Sequence, residues 1–218
     1  MIPAPFWKSA TAFSPIALLT HTQKIGATSS AIDTSGASLI VVATISYSSF
    51  SISDSKSNTW LTATSHKYTI DTNFVVRLLY AQSPITVGSG HTFTVTSTST
   101  AFAVACFSNV ASSPLDKTSH AQVISVGGTG GPGAWSPASD NELIIGVDGT
   151  EPGVTNVIDA STPGITLTEV EQVHGVGGVN YGILLTYGVQ GSLVSQTIQF
   201  TWTGGNINLM LGASFTHS

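Results

Sequence analysis

The chain has 218 residues, of which 41% are hydrophobic and only 8% charged, with 6 Lys plus Arg against 11 Asp plus Glu and a net charge of −5 at pH 7. That length can fill one large core or two small ones, and one β-rich domain is the simpler expectation. The charged fraction is far below the roughly 25% of ordinary soluble domains, so hydroxyl and amide groups must carry solubility, and no basic cluster exists to neutralise a run of phosphates, which argues against nucleic acid and anionic membrane as partners.

In chain order, "MIPAPFWKSATAFS" at 1–14 reads as an extended arm. Pro3 and Pro5 hold it open, while Ile2, Phe6, Trp7 and Phe13 form an apolar patch that a monomer rarely leaves in solvent. Phe6, Trp7 and Phe13 are therefore expected at a subunit interface. The following "IALL" is too short for a signal-peptide core or a bilayer span. "GASLIVVATISY" at 36–47 is an unbroken β-branched run, the pattern of a strand covered on both faces. "TNFVVRLLYAQ" at 72–82 places Phe74, Val76, Leu78 and Tyr80 on one face and Arg77 on the other. "HTFTVTSTST" at 91–100 alternates Phe93 and Val95 with threonines, as a half-buried strand does. "FAVACFSNV" at 102–110 is apolar and carries the single cysteine, Cys106, expected as a buried hydrophobe without an internal disulfide. "VGGTGGPGAWSPASD" at 126–140 reads as a flexible connector; its glycines are not followed by Lys-Ser/Thr and a helix, so it is no phosphate loop.

The second half echoes the first. Residues 74–110 correspond to 181–218, with Leu78 aligned to Leu184 and Phe107 to Phe215, and "GASLIVVATIS" corresponds to "DNELIIGVDG" at 140–149. The halves run from about 30 to 112 and from about 136 to 218. No stretch has a capped helical repeat of apolar residues. The expected fold is all-β: a single jelly-roll-like two-sheet sandwich, residues 15–218, with an internal pseudo-twofold repeat. Four strands alone would bury little and leave long edges open.

"SDSKSNTW" at 53–60 concentrates charge and an aromatic ring among serines. Asp54 can accept bonds from the amides that follow it and Asn58 tolerates positive φ, so a tight hairpin turn is expected from Asp54 to Asn58. A calcium or catalytic reading needs further acids or a base, and none is local. The stretch resembles the D-x-x-G-N-T-[WY] hairpin of β-sandwich domains in phage virion and bacterial extracellular proteins, here Asp54, Ser57, Asn58, Thr59 and Trp60, with Ser57 in place of the glycine. The resemblance implies a fold and a setting, and brings no catalytic residue with it.

Enzyme signatures are sparse. Glu169 and Glu171 in "LTEVEQVHG" would share a strand face at a spacing of about 6.6 Å, within glycosidase range, yet both point the same way from one strand. A glycan-active enzyme would need them to face an acid such as Asp148 or Asp159 across a groove. His21, His66, His91, His120, His174 and His217 show no metal-ligand spacing, and no G-x-S-x-G elbow occurs. No catalytic residue, metal or cofactor is assigned.

Of the tryptophans, Trp202 alternates with Phe200 and is expected in the core. Trp60 and Trp135 are the candidates for stacking on glycan. The expected function is a non-enzymatic structural virion protein, a head decoration, fibre or tail-surface subunit assembling with other copies and other virion proteins. It would be made in the host cytoplasm without a signal peptide and displayed on the virion surface. The alternative is an extracellular carbohydrate-binding or adhesion module whose partner is a cell-surface glycan.

Overall fold

In the computed structural model, residues 14–47, 50–70, 74–82, 85–97, 99–125, 127–151, 156–159, 165–173, 181–204 and 207–218 are described. The strands are β1 (Ala17–Ile25), β2 (Leu39–Tyr47), β3 (Ser51–Asp54), β4 (Leu61–Lys67), β5 (Phe74–Gln82), β6 (Phe93–Thr96), β7 (Ser99–Ser108) and β8 (Val110–Ile124). They continue with β9 (Gly128–Gly130), β10 (Leu143–Glu151), β11 (Asn156–Asp159), β12 (Thr168–Val173), β13 (Gly182–Val189), β14 (Gln199–Trp202) and β15 (Ile207–His217). No helix occurs among the described residues, and the expected all-β sandwich is the fold found.

Two five-stranded antiparallel sheets carry it, in the orders β1-β7-β2-β5-β4 and β8-β15-β10-β13-β12. The orders match strand for strand. Within each half the pairing is nested: β2 with β7, β3 with β6 and β4 with β5, and likewise β10 with β15, β11 with β14 and β12 with β13. A long hairpin folded over on itself gives this winding, which makes each half jelly-roll-like. The strands of the two halves do not mix within a sheet. β1, upstream of residue 30, edges the first sheet, while β8 edges the second.

The two large sheets pack face to face. Leu39, Val41, Ala43, Ile45, Phe74, Val76 and Leu78 of one meet Leu143, Ile145, Val147, Ile183, Leu185 and Leu211 of the other in a single cluster. Their edges are exchanged as a twofold would exchange them, β1 lying against β12 and β4 against β8. The outer faces are covered in turn. Ile40, Val42, Phe102, Val104 and Cys106 pack under Phe93 and Val95 of β6; Ile144, Leu184 and Met210 pack under Phe200, Trp202, Ile198 and Trp135. β2 and β10 are therefore buried on both sides, as their unbroken apolar sequences require. Burial pushes the Cys106 thiol up to about 12, making it an inert core group.

Hydrogen-bond register corrects one alignment. Leu78 pairs with Ala43, and the residue in the same place of the second half, paired with Val147, is Leu185. Leu184 faces the outer cluster, because a slip of one residue along a strand reverses every side chain. Phe107 and Phe215 are equivalent, paired with Leu39 and Leu143. The segment read as a flexible connector also has a structural part, since β9 pairs with β14 and Trp135 bridges to Gln196. Its glycines allow the approach: a Cβ on Gly131 would lie 1.9 Å from the Ile198 carbonyl oxygen.

The halves approach closely at Gly149, where an added Cβ would sit 2.3 Å from Val76 Cγ2 and 3.1 Å from Ile45 Cδ1. Gly149→Ala should therefore destabilise by about 1–3 kcal/mol in urea unfolding. Combining it with Val76→Ala should recover part of that loss, since the partner methyl is removed.

Candidate functional site

The turn after β3 crosses from the small covering sheet into β4 of the large one, so it links two layers and is not the hairpin expected from sequence. Asp54 is its centre. Five nitrogen donors converge on the carboxylate: Lys56 N at 2.8 Å, Asn58 N at 3.2 Å, Asn58 Nδ2 at 3.2 Å, Trp60 Nε1 at 2.9 Å and His91 Nε2 at 2.9 Å. The positive φ falls on Ser57, at 60°, and not on Asn58. This is the position where the similar hairpin pattern has glycine, the residue that adopts such a φ at no steric cost. Asn58 instead clips the turn to the loop between β5 and β6: its Oδ1 accepts from Thr86 N at 2.7 Å and its Nδ2 donates to Thr86 O at 3.0 Å.

The base that the local sequence lacks comes from 37 residues away as His91. Its Nδ1 lies 2.9 Å from Thr34 Oγ1, so hydroxyl, imidazole and carboxylate stand in line. That is the order of groups that activates a nucleophile in hydrolases. Here, however, the His91 and Asp54 side chains have 0% exposure. Thr34 is equally buried, and its hydroxyl takes the Gly88 N–H at 3.1 Å and faces the Gly88 carbonyl at 3.3 Å. No carbonyl substrate can reach that oxygen. Ring contacts finish the assembly: His91 stacks on Phe93 at 4.4 Å, and Trp60 meets Phe93 edge-on at 6.1 Å. The chemistry available to the cluster is mechanical, tying residues 32–34, 54–60 and 86–93 into one cover.

Trp60 is part-buried with its indole N–H already committed to Asp54. Trp135 is 6% exposed, with its ring where a Cβ on Gly212 would come within 2.6 Å. Burial of Trp135 overrides what its Gly/Pro-rich neighbourhood suggested, while Trp60 keeps part of its surface in solvent. Trp202 is in the core. Phe6, Trp7 and Phe13 lie outside the described residues, as does His174.

Glu169 and Glu171 sit on edge strand β12, where a bulge between them breaks the alternation that would set them on one face. Glu171 Oε1 instead contacts His21 Nδ1 of β1 at 2.7 Å, joining the two halves. Asp148 does not face a groove. It lies fully buried on the outer face of β10, and neither of its oxygens has a hydrogen-bond partner. Nor does either side-chain polar atom of Asn208 or the Trp202 indole nitrogen. Burial raises the Asp148 pKa well above the ordinary carboxylate value. The corresponding residues of the first half, Thr44 and Thr100, satisfy one another at 3.2 Å.

No protein-family model, curated protein or solved structure matches the chain.

Two outcomes follow from these carboxylates. Asp54→Ala strands a buried imidazole and several N–H groups, and should cost about 3–5 kcal/mol in urea unfolding. For Asp148 the folded protein holds the proton more tightly than the unfolded chain does. The stabilisation is complete below the unfolded pKa, about 4, and is lost as pH rises through the folded value. Asp148→Asn should thus match the parent near pH 4 and exceed its stability by more than about 1 kcal/mol at pH 7, measured as unfolding free energy against pH.

Proposed function

We propose that the chain is a non-enzymatic structural subunit of a virion surface, a head decoration, fibre or tail-surface protein that assembles with further copies of itself. The sealing of Thr34, His91 and Asp54 carries this reading: this hydroxyl–imidazole–carboxylate series is closed to substrate and braces a turn. The nearly uncharged, hydroxyl-rich composition and the resemblance of "DSKSNTW" to hairpins of phage virion proteins support the same reading. So do two strongly exposed aliphatic side chains, Ile70 and Ile124, flanking the Thr69–Gln122 contact at one end of the sandwich. The glycan-binding alternative has less support, since Trp135 is buried and the Trp60 indole N–H is committed to Asp54.

Light scattering on the full chain over a range of concentrations should give a discrete multimer. Deleting residues 2–13 should lower that mass while β-sheet circular dichroism is retained. A single-copy mass at every concentration would contradict the assembly reading, and hydrolysis of a glycan or ester substrate that disappears in Glu171→Ala would contradict the non-enzymatic one.

A further inference from the structure

β4 and β8 are edge strands of opposite sheets, and they meet where the first half of the chain borders the second. His66 of β4 and His120 of β8 bring their rings to 4.8 Å between centroids, tilted by 31°. The His66 Nε2 atom is buried and has no hydrogen-bond partner, while His120 is open to solvent. Next to them Gln122 Nε2 donates to Thr69 Oγ1 at 2.9 Å and Thr69 N donates to Gln122 Oε1 at 3.3 Å, so the two backbones are held together beside the rings. Burial, and then the neighbouring His120, lower the His66 pKa against a Gln122 hydrogen bond that raises it.

We propose that His66 and His120 form a two-histidine site for a borderline divalent transition-metal ion (Zn2+, Ni2+ or Cu2+) that clamps the first half of the chain to the second. Imidazole nitrogen suits these ions and does not suit Mg2+ or Ca2+, which take oxygen ligands. Among the described residues no third His, Cys, Asp or Glu converges, so water completes the coordination. The other ionisable groups on the two strands are cations or already paired: Lys67 beside His66, and Lys117, whose Nζ lies 3.5 Å from Asp116 Oδ1. Among the described residues no carboxylate forms an ion pair with either imidazole. Protons do compete, so binding weakens as pH falls through the range where histidine titrates.

Isothermal titration of the tag-free full chain with ZnCl2 and NiCl2, beside MgCl2, would test this at pH 7.5 and 5.5, with His66→Gln, His120→Gln and His21→Gln as variants. Zn2+ and Ni2+ should bind near one ion per chain at pH 7.5 and raise the melting temperature, and Mg2+ should do neither. Either substitution of the pair should weaken binding at least tenfold, as should pH 5.5, and His21→Gln should leave it unchanged. Because His120 is exposed, His120→Gln keeps the fold and the test decisive. No saturable binding, or binding that survives both His66→Gln and His120→Gln, would overturn the assignment.

Discussion

Two strands, β2 and β10, are apolar on both faces, and a strand of that kind has to be covered on both. The whole arrangement follows from this. The inner face of each large sheet is covered by its counterpart from the other half, and the outer face by a small sheet belonging to its own half. Neither half could stop at a single sheet without exposing "LIVVATIS" or "LIIGV" to water, where each large apolar side chain forgoes about 1.5–3 kcal/mol of burial. The approach of Gly149 to Val76 and Ile45 marks how closely the inner faces fit.

The two covers are fastened by different chemistry at corresponding places. Asp54 is opposite Phe93 in the first cover, and Ile158 is opposite Phe200 in the second. His91 and Ile198 likewise each stand two residues before those phenylalanines. The first cover is thus tied by a carboxylate saturated with donors, and the second by Ile198, Phe200, Trp202 and Trp135. Beneath the covers the polarity is reversed: Thr44 and Thr100 satisfy each other, whereas Asp148 and Asn208 have no partner. Asp54 in the first cover is thus saturated with donors, whereas Asp148 beneath the second cover has none. The repeat has kept its backbone winding while its polar groups moved.

What could be read from sequence was what burial writes as an unbroken or alternating pattern: β2, β5, β6 and β7, the outward side of Arg77, the core placement of Trp202, and the duplication itself. Edge strands β1, β4 and β8 mix hydroxyls, histidines and apolar residues because one side faces solvent, and β8 contains Pro114, so no run announced them. The Leu-Leu doublets fixed the repeat only to within one residue, since a doublet has no parity, and hydrogen-bond register was needed to equate Leu78 with Leu185. His91 lay in a plain "GSGHTF" segment, and only the fold brings it to Asp54. Trp135 looked free because glycines surround it, yet glycine is what lets the backbone settle closely enough to bury the ring.

The claim on which the account rests is that the Asp54 carboxylate locks the first cover onto its sheet. Amide hydrogen exchange of the unmodified protein tests it at single residues, because Lys56 N and Asn58 N both donate to that carboxylate. The account predicts that these two turn amides exchange as slowly as the amides of neighbouring strand β6, opening only with the cover. Exchange of Lys56 and Asn58 at the rate of an unstructured peptide, with β6 still protected, would contradict it.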